Sequence, residues 1–249
     1  MDLSIVIPVR NEAENIAPLV AEIRAALAAM QGGAPTYEVV YVDDGSSDAT
    51  AATIAALADG FPGLRLVRHD RSYGQSAAIR TGVKAARAPW IATLDGDGQN
   101  DPADIPRLWA MAQAASGAPA LITGQRTKRR DAWMKRTSSR IANRVRAALL
   151  GDGTPDTGCG LKLFRRDLFL DLPFFDHMHR FLPALVRRAG GSIVSVPVNH
   201  RPRTRGSSNY GTLDRLAVAF ADLLGVIWLQ RRAKQPQLIP SGPEDPSTP

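Results

Sequence analysis

The sequence predicts an α/β fold in which helices flank a mostly parallel sheet, and three observations predict it. Apolar runs rich in β-branched residues alternate with alanine-rich segments of helical pattern through the first 125 residues. Carboxylates and small polar residues follow the first, second and fourth of these runs, at the strand ends where parallel sheets bind ligands. The chain of 249 residues is long enough to bury one full α/β core.

The first half contains five predicted strands and four predicted helices. The strands are the runs at Leu3–Val9, Tyr37–Asp44, Leu64–Asp70, Pro89–Asp95 and Pro119–Arg126. The helices are the segments at Glu12–Met30, Ser47–Asp59, Gly74–Ala88 and Pro102–Ala115. A single helix between successive strands indicates βαβ crossovers, and therefore parallel strands that are buried on both faces.

The second half is less regular. Its predicted helices are Trp133–Leu150, Asp176–Ala189 and Leu213–Leu229, and its predicted strands are Leu161–Phe164 and Ser192–His200. We expect one domain over residues 1–232, divided into a first half (1–125) and a second half (126–232). The proline-rich tail, residues 233–249, is predicted to be disordered.

Charge and cysteine content limit the possible partners and compartments. The net charge is +7, and nine Lys or Arg residues accompany the single acid Asp131 between Arg126 and Arg146. Such a cluster favours an anionic partner, which could be nucleotide phosphates, nucleic acid or a membrane surface, although a solvated basic face has the same composition. Cys159 is the only cysteine, which excludes an intramolecular disulfide and suits a reducing cytosol. The first residues do not have the pattern of a signal peptide.

The loop from Leu94 to Pro102 is the first candidate site. Asp95 and Asp97 lie two residues apart at the end of the fourth strand, and Gln99 adds a neutral oxygen. Oxygen ligands that leave coordination positions for water and phosphate are typical of Mg²⁺ or Mn²⁺ sites. A calcium EF-hand is excluded because its glycine and glutamate positions hold Asn100 and Pro106. A plain polar turn remains the alternative.

Other nucleotide and hydrolase motifs do not occur in the sequence. The chain contains no G-x-x-x-x-G-K-[ST], no G-x-G-x-x-G after the first strand and no G-x-S-x-G. Its four histidines, at positions 69, 177, 179 and 200, do not have the spacing of a zinc site. These observations argue against a P-loop, a dinucleotide-binding site, an α/β-hydrolase and a zinc enzyme.

Four stretches of the first half resemble the successive signatures of family 2 glycosyltransferases with the GT-A fold, a Rossmann-like sheet flanked by helices. They are SIVIPVRNEAENI, VVYVDDGSSDAT, YGQSAAIRTGVKAA and WIATLDGDGQNDP. The later stretches GQR, DTGCGLKLFRR and RTRGSSNYG are similar to the polyprenyl-phosphate branch, which includes dolichyl-phosphate mannosyltransferase. The resemblance covers residues 4–232. It implies metal-dependent transfer of a hexose from a GDP- or UDP-sugar to a polyprenyl phosphate.

The resemblance also implies roles for individual residues. The nucleotide-sugar pocket would lie in the first half and be formed by Pro8, Val9, Asn11, Glu12, Asp43, Asp44 and Asp95. Asp95, Asp97 and Gln99 would hold Mg²⁺ or Mn²⁺, and Asp95, Asp97 and Arg126 would be the catalytic residues. Ser139, Arg140 and Arg203, in the second half, would bind the acceptor phosphate.

Two helices of the second half are predicted to be amphipathic and to lie at a membrane interface. Arg136, Arg140 and Arg144 recur at i, i+4 and i+8 beside an apolar line, which is typical of an interfacial helix. Nucleic acid is disfavoured because no aromatic platform or known binding motif accompanies the charge. The last helix has an apolar face that could also pack on the core, and its 14 residues from Leu216 to Leu229 are too few to span a bilayer. We therefore expect a peripheral protein on the cytoplasmic face of the membrane.

The chemistry of the acceptor distinguishes two hypotheses. A lipid monophosphate is already mostly dianionic at neutral pH, so its attack on the sugar requires no protein base. The alternative acceptors are hydroxyls of a sphingolipid, a diacylglycerol or a polysaccharide, which would require one; Asp156 is a candidate, although it could equally cap its loop. A single displacement inverts the anomeric carbon, so an α-linked donor would give a β-linked product.

Overall fold

A computed structural model describes residues 1–30, 33–113, 119–126, 149–202 and 213–234. These residues contain one seven-stranded sheet with the strand order β3-β2-β1-β4-β6-β5-β7. The strands are β1 Leu3–Val9, β2 Tyr37–Asp43, β3 Leu64–Arg68, β4 Trp90–Thr93, β5 Leu121–Arg126, β6 Lys162–Arg165 and β7 Ile193–Val198. β6 runs antiparallel to its neighbours β4 and β5, and the other pairs are parallel. The predicted α/β class and mostly parallel sheet are confirmed.

Seven helices of the described residues flank this sheet. They are α1 Ala13–Ala28, α2 Thr50–Ala58, α3 Gln75–Ala85, α4 Ile105–Gln113, α5 Arg166–Asp171, α6 Leu182–Arg188 and α7 Leu213–Arg231. Short 3₁₀ turns at Pro102–Asp104 and Met178–Arg180 precede α4 and α6. The predicted helix Trp133–Leu150 lies almost wholly outside the described residues, as do residues 235–249 of the predicted tail.

Side chains alternate between two apolar layers, one on each face of the sheet. Leu3, Ile5 and Ile7 of β1 are fully buried in the layer that contains the apolar face of α1. Val6 of the same strand belongs to the opposite layer, which contains Val83 of α3. This period of two, with both faces buried, explains why β1 is an almost unbroken apolar run.

The second half differs from the prediction in three places. α5 was not predicted, because its six residues are too short to show a helical period. The predicted strand Leu161–Phe164 is shifted by one residue. The predicted helix Asp176–Ala189 starts only at Leu182, which places Pro183 in its first turn, where proline is favoured. His177, with a left-handed φ of 62°, turns the chain before it.

The strand order places a crevice between β1 and β4. The chain passes from β1 to β2 and β3 on one side, and then returns to place β4 on the other side of β1. The loops that leave the carboxyl ends of these two strands therefore diverge. Open α/β sheets bind ligands at this topological switch point.

Candidate active site

The crevice is a cleft of about 290 Å³ in which the loops that follow β2 and β4 meet. It is lined by Pro8, Val9, Arg10, Glu12, Asp44, Gln75, Ala78, Asp95, Gly96 and Asp97. β1 contributes the first of these residues, the end of β2 contributes Asp44, and the loop after β4 contributes the last three. The carboxylates that follow β2 and β4 therefore lie at one edge of the sheet.

Asp44 holds the loop that starts α3. Its carboxylate accepts hydrogen bonds from Ser72 Oγ (2.7 Å), Tyr73 N (2.8 Å) and Gly74 N (2.9 Å), and His69 Nδ1 lies 2.8 Å away. Burial alone would raise the pKa of Asp44, but these hydrogen bonds outweigh it and lower the pKa. Asp44 is therefore an anion that fixes one wall of the cleft.

Asn11 and Asp43 are not among the residues that line the cleft. Their side chains instead connect the loops that form it. Asn11 adopts a left-handed φ of 55°, which asparagine tolerates better than most residues. Its side-chain oxygen accepts a hydrogen bond from Ser47 N at 2.9 Å. Asp43 is fully buried, accepts from Ser46 N at 2.8 Å and pairs with Arg68 Nε at 3.0 Å. Both residues therefore hold the loops that form the predicted nucleotide pocket.

Asp95 and Asp97 are oriented by the elements around them. Asp95 Oδ1 accepts a hydrogen bond from Gln75 Nε2 at 2.8 Å, and Asp97 Oδ1 accepts from the backbone N–H of Gln99 at 3.0 Å. On its other side the Asp95 carboxylate packs directly on Gly160, where any Cβ would overlap it. The carboxylate thus has a fixed place that depends on a glycine 65 residues further along the chain.

The electrostatics of this pair suit a divalent cation. Burial and the negative charge of Asp97 raise the pKa of Asp95 to about 6, against the opposing charges of Lys162 and Arg126. A hard cation between the two carboxylates would relieve their repulsion. Among the described residues no cluster of three or more His, Cys, Asp or Glu could hold a metal. Two carboxylates fit an ion that completes its shell with water and substrate phosphate, as Mg²⁺ does.

Gln99 lies beside this pair but is not among the described residues that line the cleft. Its side-chain Nε2 donates to the backbone oxygen of Arg201 at 3.4 Å. Only the amide oxygen of Gln99 would therefore be available to a metal. Its place in the metal site stays a prediction.

Replacing Asp95 with asparagine should stabilise the metal-free protein at neutral pH. The pKa of Asp95 in the folded protein is about 6, above the ordinary value of 3.8. Folding therefore favours the protonated carboxyl group, and this contribution to stability is complete below pH 4. That contribution is lost as the pH rises through 6. In the presence of a chelator, the melting temperature of Asp95→Asn should match the wild type near pH 4 and exceed it by several degrees at pH 8. A difference that does not vary with pH would contradict the assignment.

Arg126 is held by Asp156 in a pair that the sequence did not predict. Its Nε and Nη2 lie 2.7 and 2.8 Å from the two carboxylate oxygens of Asp156. The two side chains are only 13% and 9% exposed. A bidentate pair of this kind fixes the plane of the guanidinium group. Arg126 is therefore a rigid cation near Asp95, and Asp156 is a poor candidate for a free base.

Several predicted site residues lie outside the described residues. Other residues near Asp95 were not predicted from the sequence. The first group is Ser139, Arg140 and Arg203, together with Arg136 and Arg144. Gln75, Gly160 and Lys162 were missed, although each lies in a stretch that carried the family resemblance. A glycine or a lysine in a strand-like segment gives no local signal of a site. Here the signal is proximity to Asp95 in three dimensions.

The sheet and its cleft define the GT-A class of glycosyltransferase folds. Glucosyl-3-phosphoglycerate synthase from Mycobacterium tuberculosis, solved with Mn²⁺, UDP and its product, superposes with a TM-score of 0.67, at 19% identity over 92% of this chain and 79% of that one. Mannosyl-3-phosphoglycerate synthase from Rubrobacter xylanophilus superposes with the same TM-score, at 17% identity over 100% of this chain and 79% of that one. At these identities the likeness shows the fold alone.

The sequence identifies the family within this class. The sequence model of Glycosyl transferase family 2 matches residues 4–172, and the chain belongs to that family. Dodecaprenyl-phosphate galacturonate synthase of Rhizobium johnstonii is 35% identical over 241 residues, which is 95% of this chain and 69% of the relative. Undecaprenyl-phosphate 4-deoxy-4-formamido-L-arabinose transferase of Edwardsiella ictaluri is 33% identical over 213 residues, 85% of this chain and 63% of the relative. The chain thus spans about two thirds of these proteins.

Proposed function

We propose that this protein is an inverting, metal-dependent glycosyltransferase that moves a hexose from a GDP- or UDP-sugar to a polyprenyl phosphate. The observation that carries the proposal is the meeting of Asp95, Asp97 and the Asp44 loop in one cleft at the switch point of the sheet. The names of the relatives support the acceptor class, because both contain a polyprenyl phosphate.

The cleft divides into a nucleoside side and a phosphate side. Pro8, Val9 and Glu12 with Asp44 would receive the nucleoside, and Asp95 with Asp97 would hold Mg²⁺ or Mn²⁺. When bound, the cation supplies positive charge that stabilises the departing diphosphate. Related folds that were solved with Mn²⁺ or Mg²⁺ and UDP support this use of a metal.

The transfer itself is a single displacement. An oxygen of the lipid phosphate attacks the anomeric carbon while the bond from that carbon to the donor diphosphate breaks. The nucleoside diphosphate leaves with the bonding electrons, and the anomeric configuration inverts. The attacking phosphate is already deprotonated, so the protein contributes position and charge rather than a base.

The alternative is the same fold acting on a hydroxyl of a sphingolipid, a diacylglycerol or a polysaccharide. That reaction needs a general base within reach of the acceptor. Asp156 was the candidate, and its carboxylate is engaged by Arg126 through both oxygens. This geometry favours the phosphate acceptor.

Titration calorimetry tests the donor half of the proposal. The protein is titrated with UDP, GDP and their hexose conjugates, each with Mn²⁺ and again with EDTA. Binding of one nucleotide series that disappears in EDTA is expected. Equal binding with and without metal, or no binding of any nucleotide, would contradict it.

Helix α7 presents an apolar stripe to the outside. Phe220, Leu224 and Trp228 follow one another at intervals of four residues and are 62%, 52% and 59% exposed. The same helix buries Val226 completely and packs Ile227 against the core. One face of the helix therefore packs on the core, and another is exposed and available to a partner.

The partner that fits this stripe is an anionic membrane surface. Arg231, Arg232 and Lys234 lie at the C-terminal end of the stripe, and the Arg232 guanidinium lies 6.0 Å from the Trp228 ring centroid. Apolar side chains beside basic ones are typical of interfacial helices, and the proposed acceptor is a lipid. Among the described helices, none is both long enough and apolar enough to cross a bilayer. We place the docked protein on the cytoplasmic face.

Replacing Phe220, Leu224 and Trp228 together with serine should weaken docking. Burial of each large apolar side chain contributes up to about 2 kcal/mol, so partial insertion of three should change the vesicle partition coefficient at least about tenfold. Sedimentation with vesicles containing phosphatidylglycerol measures the partition. Val218→Ser, an exposed position on the same helix but off the stripe, is the control. Unchanged partition of the triple variant would show that this face does not contact the membrane.

A further inference from the structure

A second cavity, of about 240 Å³, adjoins the cleft. The two share Asp95 and Gln75, so the cavity lies next to the proposed phosphate side. Its other walls include the apolar rings of Phe164 and Phe169 and the polar side chains of Lys162 and His179. The metal and the nucleotide proposed above do not occupy this cavity.

A polar row crosses the sheet at this cavity. Lys162 of β6 is paired in register with Thr93 of β4 on one side and with Thr123 of β5 on the other. Residues paired in this way point to the same face of a sheet. Two positions along, the equivalent row is Ile91, Phe164 and Leu121, all buried in the apolar layer. The face thus changes from apolar to polar along the cavity wall, between Phe164 and Lys162.

Two groups in this row are incompletely satisfied by the described residues. Thr123 is fully buried, and its Oγ1 has no hydrogen-bond partner among them. Lys162 is 5% exposed, and its Nζ donates to the backbone oxygen of Cys159. An ammonium group has three donors, and a buried charge is costly unless an anion faces it.

The carboxylates near Lys162 already have other roles. Asp156 is engaged by Arg126, and Asp95 is a proposed metal ligand. His179 does not compete for an anion, because burial and the positive charge of Lys162 lower its pKa to about 3 and keep it neutral. Ser76 Oγ lies 2.7 Å from His179 Nδ1 and holds the ring. Lys162 is therefore a buried cation at a cavity wall with donors to spare.

We propose that this cavity is an anion subsite in which Lys162 binds an anionic oxygen group of a substrate, next to the reacting centre. The proposal rests on the function proposed above. Two groups have the required chemistry: the phosphate of the lipid acceptor and a carboxylate on the donor sugar. Both place negatively charged oxygens within reach of the ammonium group that lines the cavity.

Lys162→Met tests this subsite, because methionine keeps the length of the side chain and removes the charge. If the anion is the acceptor phosphate, the KM for undecaprenyl phosphate should rise about 10- to 100-fold with every donor. If it is a sugar carboxylate, kcat/KM should fall by a similar factor for UDP-galacturonic acid and by a much smaller factor for UDP-galactose.

Binding and stability measurements separate this proposal from the proposed function. Manganese-dependent UDP binding should persist in Lys162→Met, and its melting temperature should equal or exceed that of the wild type, since a buried charge is replaced by an apolar group. If the wild type transfers no sugar, the proposed function fails. The subsite is then tested by the rise in melting temperature on adding geranyl phosphate, or on replacing UDP-galactose with UDP-galacturonic acid. The variant should lose whichever rise the wild type shows.

The proposal is overturned if Lys162→Met keeps wild-type kinetic constants for every donor and acceptor. It is also overturned if Lys162→Met loses its fold by circular dichroism, because the lysine would then be structural. Absence of any thermal shift in the wild type, in a protein that transfers no sugar, would overturn it as well.

Discussion

Asp97→Asn should remove manganese-dependent nucleotide binding and reduce turnover by at least about 10³-fold, equivalent to roughly 4 kcal/mol of transition-state stabilisation. The substitution keeps the shape of the side chain, and its amide oxygen can still accept the hydrogen bond from Gln99 N. It removes one of the two anionic groups that would hold the metal. The expected loss is therefore electrostatic, with little change in the loop. Calorimetry with UDP and Mn²⁺ and a transfer assay with labelled donor measure the two effects.

Asp59→Asn is the matched control for this variant. It makes the same chemical change at an exposed position at the end of α2, away from the cleft, and should leave both measurements unchanged. Full activity of Asp97→Asn after chelation and readdition of Mg²⁺ would refute the metal assignment.

Gly160→Ala should reduce turnover by at least about 100-fold, although it removes no functional group. The added methyl group would occupy the space of the Asp95 carboxylate, which packs against the glycine. Asp95 must then move, and with it the geometry at the metal. The variant should retain its circular dichroism spectrum and show weakened manganese-dependent UDP binding as well as slow transfer.

Gly225→Ala is the control for the added methyl group. Gly225 lies in α7 with nothing within 4 Å of the added atom, so alanine there should stabilise the helix slightly and leave transfer unchanged. Wild-type turnover in Gly160→Ala would show that the position of Asp95 is unimportant.

The first half of the fold could be predicted because its local and tertiary signals agree. The β1 run Leu3–Val9 was predicted to the residue, since a charged residue stands on each side of an unbroken buried strand. The direction of β6 could not be predicted, because pairing of β6 with β4 joins residues about 70 positions apart. No periodicity within either strand contains that information.

The acidic half of the candidate site was also predicted from the sequence. Asp44, Asp95 and Asp97 stand at strand ends, and parallel strands end at the same edge of a sheet. The contacts that fix these residues were not predictable. Gly160 and Gln75 reach Asp95 from distant segments, and Asp156 reaches Arg126 across 30 positions.

Lys162 is the clearest example of a candidate site residue that sequence patterns do not predict. In the sequence it interrupts a short apolar strand, which usually marks a residue that faces solvent. In the structure it is buried, because it lies in a central strand and faces a cavity that Phe169, His179 and Leu182 also line. Locally inconsistent residues of this kind are expected at functional sites.

One measurement tests the central claim most directly: transfer of labelled sugar to undecaprenyl phosphate compared with undecaprenol, the same lipid without its phosphate. The nucleotide sugar is the one that binds in calorimetry, and Mn²⁺ is present. The proposed chemistry needs an acceptor that is already an anion, because the candidate base Asp156 is engaged by Arg126 through both of its oxygens. Labelled lipid that forms with the phosphate alone, survives mild base and is released by mild acid is the predicted result. Equal labelling of the alcohol, or none of the phosphate, would contradict the assignment.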